Sequence, residues 1–387
     1  MKRKLLSIFL TTALTVSVLA GCGGSGDGAV STTGAASDSS ASSDTSAQES
    51  TGEESKDSVS DAAEEPVTLR TLAWNSMVGH LDSVLAYSAG YYEQEGLNIE
   101  MNYINDNPAN IQALLEDKAD LVSAGATAVL NYIDGGSDIV IIGGQMSLAE
   151  TLYALPERAD EFKELNEETL AGKTIGVTRL NTGDIVFRKI LRDRGVDLSK
   201  ITFVELNSQP DVVEAVVKGE VDLGIAFLTN RQTAEIRGLT PISYLDAEDE
   251  WPGFICCRMF TMRDKLEANR DAYVKAMKAN IKAYALIQQD RAAATEYALK
   301  ELETDADTFN SQVYEYGHLG LNPNPDVKNT SEFFQAMVDI GYSEGNVDIK
   351  DYIDATVYQD ALAELLEEDP TNEIYLELQA DDKATNY

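Results

Sequence analysis

The sequence predicts an α/β protein of two lobes, each a parallel-rich sheet flanked by helices, with two crossovers of the chain between them. Three observations carry that expectation. First, "NPANIQALLEDKADLVSAGAT" (107–127) lies without a gap over "QPDVVEAVVKGEVDLGIAFLT" (209–229), with six of 21 positions identical. Internal repetition of this kind marks a duplicated unit. Second, short apolar runs alternate with helical patterns, which points to parallel strands joined by right-handed crossovers. Third, the chain beyond residue 66 is longer than one hydrophobic core usually serves.

The N-terminus comes before any of this. Residues 1–21 have the layout of a secretory signal, with Lys2, Arg3 and Lys4 ahead of an apolar run that ends in small residues. That run is too short to span a bilayer, which takes about 20 apolar residues. Leu19-Ala20-Gly21-Cys22 resembles the lipobox of bacterial lipoproteins, which implies a lipidated Cys22 as the mature N-terminus. Residues 22–66 read as an acidic, Ser/Gly-rich tether. The segment from Gly23 to Glu65 has no aromatic residue and no Leu, Ile or Met, and ten acidic residues face the single Lys56. Such a segment cannot offset the entropy of ordering itself.

In the body, "VTLRTLAW" reads as a strand, followed by a helix to Gln94, Gly96 as its C-terminal stop, and a second strand "LNIEMNYI". "KTIGVTR", a helix over Gly183–Arg194, Gly195 and "ITFVELN" repeat that order. Each repeat then continues into helix, tight turn and strand, with Pro108 and Pro210 at the helix starts, where the missing N–H costs nothing. "SDIVIIGGQ" adds a strand to the first half, and "GFICCRMFTM" supplies a return strand before long helical stretches expected over Arg270–Gln289, Arg291–Glu301, Ala306–Gly317 and Glu332–Tyr342. The expected division is 67–153 for the first part of lobe 1, 154–250 for lobe 2, and 251–387 for the return to lobe 1. The crossings fall near Tyr153–Leu155 and near Trp251.

The formal net charge of −36 makes the chain a poor partner for nucleic acid, whose affinity rests on Lys and Arg. It favours a soluble monomer. Catalytic signatures are thin: His80 and His318 are the only histidines and lack metal-ligand spacing. No nucleophile elbow, phosphate loop or zinc-protease motif occurs. No cofactor is expected. Cys256 and Cys257 are adjacent on the return strand, so their side chains are expected on opposite faces, as buried structural thiols.

Open α/β sheets bind ligands beyond the carboxyl ends of their strands, where helix N-termini offer free N–H groups. The repeats therefore nominate Trp74, Asn75, Ser76, Ser123, Gly125, Thr127 and Gln145 from the first lobe. From the second come Thr178, Asn181, Thr182, Gly183, Phe227 and Asn230, with Trp251 on a crossing. Trp74 and Phe227 would suit a flat solute, and Asn181 and Thr182 would cap a helix beside it.

Four stretches, "YYEQEGLNIEMNYI", "IQALLEDKADLVSAG", "LAGKTIGVTRLNTGDIVFRKILRDRGVDLSKITFVEL" and "VVKGEVDLGIAF", resemble the solute-binding proteins of ABC importers for nitrate, sulfonates, taurine and thiamine-pyrimidine precursors. The resemblance implies the type II periplasmic-binding-protein fold. It also implies a small polar or heteroaromatic solute, an ABC permease and ATPase as partners, and an extracytoplasmic place on the membrane through Cys22. No bond would be made or broken. Asn181, Thr182 and Gly183 fall on the family's ligand-facing turn, and Asp184 on a position where an acid would repel an oxyanion. An exported enzyme or a surface sensor using the same cleft is the alternative.

Overall fold

The computed structural model describes residues 66–179, 181–247 and 250–387. The signal segment, the tether up to Glu65 and the lipidation position Cys22 lie outside the described residues. The first sheet takes β1 (Val67–Ala73), β2 (Leu97–Tyr103), β3 (Leu121–Gly125) and β4 (Ile139–Gly144). Its order is β2-β1-β3-β11-β4, where β11 is the return strand Cys257–Met262. The second sheet takes β6 (Glu150–Ala154), β7 (Thr174–Thr178), β8 (Thr202–Leu206), β9 (Leu223–Phe227) and β10 (Thr240–Tyr244). Read from β8, its order is β8-β7-β9-β6-β10, so each strand has a counterpart in the first sheet. In each sheet four strands share one direction, and the fifth, contributed by a crossing segment, runs antiparallel to them: β11 in the first, β6 in the second. The remaining two strands, β5 (Met146–Leu148) and β12 (Leu319–Leu321), form a small antiparallel pair beside the crossings.

The repeat seen in the sequence is a repeat of hydrogen bonds. Asp120 accepts from the Arg70 backbone N–H on β1 at 2.9 Å, and its counterpart Asp222 accepts from Thr174 on β7 at 2.6 Å. Each carboxylate thereby fastens the start of one strand to the edge of its neighbour. The tight turn before each strand needs a left-handed residue, supplied by Asp117 (φ 56°) in one copy and Gly219 (φ 68°) in the other.

The first crossing comes earlier than the sequence suggested. Tyr153 and Ala154 belong to β6 of the second sheet, so the chain leaves the first sheet between Gly144 and Glu150. It does so through Leu148 (φ 66°) and Ala149 (φ 75°), two non-glycine residues held left-handed. Such conformations cost about 1–3 kcal/mol each and persist only where the surroundings over-determine them. β5 and the β6 pairing on either side supply that constraint.

The C-terminal region also differs from expectation. Helix Arg270–Gln289 appears as expected, whereas the helix expected over 306–317 is a short α-helix, Ala306–Asn310, followed by a π turn. Two further helices, Ala355–Glu368 and Glu373–Thr385, were not expected. Their acidic outer faces hide a buried row of Tyr358, Leu362, Leu365 and Leu378. That row packs with the helix Arg270–Gln289 and with β4.

Apolar residues of both sheets join one core. Val122 and Ile141 from the first sheet and Ile175 and Leu223 from the second share a cluster with Trp251, Phe333 and Phe334. The helix Val327–Asp339 packs against Ala126–Asp134 of one half and Thr182–Asp193 of the other.

Candidate functional site

A cavity of about 450 Å³ lies where the carboxyl ends of β1, β3, β7 and β9 meet. The local sequence explains its walls. Asn107 and Gln209 are equivalent residues at the starts of equivalent helices, and each turns its amide oxygen onto the last residue of the following strand. Asn107 accepts from Gly125 N–H at 2.9 Å, and Gln209 accepts from Phe227 N–H at 2.8 Å. Oxygen placed this way leaves the amide nitrogens of both residues, which line the cavity, without an acceptor in the described protein. Helices Ala126–Asp134, Thr182–Asp193 and Leu228–Ile236 begin at the same rim. Their N-terminal ends carry a partial positive charge toward the cavity.

Three buried polar atoms in this lining have no hydrogen-bond partner among the described residues: Trp74 Nε1, Thr127 Oγ1 and Glu150 Oε2. Buried polar atoms are paired in the great majority of cases, so orphans collected around one cavity point to a missing partner there. Glu150 is 1% exposed. Burial pushes its carboxyl well above the usual carboxylate range, nearby Cys256 adds to that, and the Gly183 N–H opposes it. The cavity lining contains neither Lys nor Arg.

His80 accepts a hydrogen bond from the Trp74 backbone N–H on Nδ1 at 3.0 Å, which fixes the tautomer carrying the proton on Nε2. Burial lowers its pKa to about 3, so the ring is neutral and a weak base. Cys256 and Cys257 both line the cavity, with their sulfurs 3.8 Å apart. The expectation of opposite faces fails because β11 begins only at Cys257; Cys256 sits in the irregular crossing just before it, where strand alternation does not apply. Thr182 Oγ1 donates to Cys256 Sγ at 3.4 Å, linking the helix of one half to the crossing strand.

The structure brings together eight of the nominated residues: Trp74, Ser76, Gly125 and Thr127 from the first half, and Asn181, Thr182, Phe227 and Asn230 from the second. It places six elsewhere. Asn75 is spent on a reciprocal amide pair with Asn105. Ser123 and Gln145 lie inside the first half, both bonded to Ser83. Thr178 Oγ1 is buried away from the lining. Gly183 acts by having no side chain, since a Cβ there would come within 2.7 Å of Glu150 Oε2 and 2.6 Å of Ile225. Trp251 is core: its ring stacks on Phe333 at 5.9 Å between centroids, under Lys189.

Asp184 does not line the cavity. It is buried on the far side of its helix turn, held by Arg188 at 2.7 Å and by the Tyr342 hydroxyl. An acid does face the cavity, but it is Glu150. Sequence reasoning missed Glu150, Asn107 and Gln209. The signals were present: a lone acid in the apolar run "SLAETLYAL", and two amide side chains at matching positions of the repeat.

The NMT1/THI5 like family matches residues 78–294, more than half of the chain. The chain belongs to that family. YtlA of Bacillus subtilis (strain 168), named as a binding protein, is 23% identical over 240 residues, covering 60% of this chain and 70% of its own. BAB2_1146 of Brucella abortus, also named as a binding protein, is 25% identical over 228 residues, covering 58% and 67%. Among solved structures, the periplasmic aliphatic sulphonate binding protein SsuA from Escherichia coli superposes with a TM-score of 0.63 at 18% identity, covering 74% of this chain and 92% of its own. The periplasmic nitrate-binding protein NrtA from Synechocystis gives 0.61 at 11% identity, covering 78% and 89%. These structural likenesses establish the periplasmic-binding-protein fold. Among the described residues no helix is long and apolar enough to cross a membrane.

Proposed function

We propose that this protein is the solute-binding component of an ABC importer, held outside the cytoplasmic membrane by a lipid on Cys22. It captures a small polar or heteroaromatic solute between its two halves and hands it to a permease. One observation carries the reading: orphaned polar atoms from both halves, Trp74 and Thr127 on one side and Glu150 on the other, converge on a single cavity. A ligand contacting both halves favours the closed arrangement by its differential affinity, which is what delivery requires. The family membership and the names of its relatives support the same reading.

An enzyme built on this cleft would need a base or nucleophile poised near neutral pH. His80, depressed to about 3 and already accepting from Trp74, is poorly suited to that work. Binding without chemistry therefore fits better. Native mass spectrometry of the body purified from its own host tests the reading, with a retained small molecule as the expected result. In a thermal-shift series, a solute at a hundred times its dissociation constant should stabilise by about 2.7 kcal/mol. A protein that holds nothing and responds to no small solute would sink the proposal. Metabolic labelling with a radioactive fatty acid should mark the wild type and leave Cys22→Ala unlabelled.

A further inference from the structure

We infer that Glu150 is the specificity-determining residue of the cavity and that the solute presents an amino or amidine nitrogen to it. This rests on the solute-receptor reading above and names the chemistry that the site selects. Glu150 opens β6 immediately after the left-handed pair Leu148-Ala149, so backbone strain is maintained next to it. Glycine at 183 is the accommodation made for its carboxyl, because any side chain there would collide with Oε2. The carboxyl then lines the cavity with that oxygen unpartnered and with no Lys or Arg beside it.

A buried carboxyl oxygen without a partner costs free energy unless something outside the chain pairs with it. A nitrogen carrying N–H groups does so. A simple oxyanion brings no N–H group, and no Lys or Arg lines the cavity to offset its charge. Helix ends at the rim can still accept an acceptor atom elsewhere on the same solute, whether a ring nitrogen or an acid group. Two sources of the chemistry follow, an aminated heteroaromatic ring and an alkyl zwitterion, and both place nitrogen on Glu150.

Matched solutes differing in that one group provide the test. Isothermal titration of the wild-type protein would compare 4-aminopyrimidine with 4-methylpyrimidine, and taurine with ethanesulfonate. The expected result is at least a tenfold preference for the amino member of one pair, which also identifies the source. Glu150→Gln should abolish that preference while leaving the unliganded melting temperature unchanged or higher. Equal binding within a pair, or a preference that survives in Glu150→Gln, overturns the inference and leaves the receptor reading intact. Should neither pair bind, the formula of the molecule released from native protein decides. A solute without an N–H group overturns the inference alone, and absence of any bound or retained solute overturns both.

Discussion

Single side chains around the cavity decide its charge, and His80 shows how. Its folded pKa of about 3 lies below the ordinary value of 6.5 because burial disfavours the imidazolium. The unfolded chain therefore binds a proton that the folded chain refuses. Its stabilising contribution is complete above pH 6.5 and is lost as pH falls toward 3, at about 1.4 kcal/mol for each unit of depression. Asp82, two residues on and fully buried, runs the other way. Burial raises its carboxyl, so the penalty for ionising it is relieved on acidification. Comparing His80→Gln with wild type separates the two, since Gln keeps an acceptor for Trp74 and cannot charge. We expect the variant to lose clearly less stability than wild type between pH 6.5 and pH 4 in urea melts. Identical pH profiles would contradict the assignment. At this scale the sequence was least legible. It identified Trp74, Thr127 and Thr182 from strand ends and helix caps, but it took Asp184 for the acid facing the solute. Helical phase alone cannot say which of two neighbouring acids a distant tyrosine and an adjacent arginine will claim.

Elements were read more securely, because the duplication tests each assignment twice. The matched aspartates are the clearest case. Burial opposes ionisation of Asp120, yet hydrogen bonds from Arg70 and Lys265 overcome it and hold the carboxyl well below the usual carboxylate range. A depressed pKa adds stability that is present above the unfolded value near 4 and lost as pH falls through the folded value. Asp120→Asn should therefore cost about 1–3 kcal/mol at pH 7 and flatten the acid limb of the stability curve below pH 4. Chemical denaturation at pH 7 and pH 3 measures both, and a cost that is equal at the two pH values would refute the assignment. The elements that escaped the sequence have a common cause. Acidic runs such as "LAELLEEDPTNEIYLELQADD" look like solvated surface until a partner helix covers their one apolar stripe. Only the folded chain shows that Arg270–Gln289 is that partner.

Across the whole molecule, the two sheets are easy to expect and their degree of union is not. Trp251 was nominated as a ligand contact because a crossing strand carries it. The structure instead places it in the core that both halves share, against Phe333. The two tryptophans should thus behave oppositely. Trp251→Ala should lower stability by about 3–5 kcal/mol while sparing affinity in the molecules that fold. Trp74→Ala should weaken solute binding at least tenfold with a small change in melting temperature. Equal loss of affinity in both variants would return Trp251 to the site. Periodicity cannot make this distinction, since a seam between halves and a wall facing a guest both require a large flat ring. The neighbouring sulfurs of Cys256 and Cys257 add a practical consequence. Both thiols open onto the space that a guest would fill, so alkylating reagents should react with them more slowly as occupancy rises. The chain thus carries its own covalent gauge of whether it is loaded.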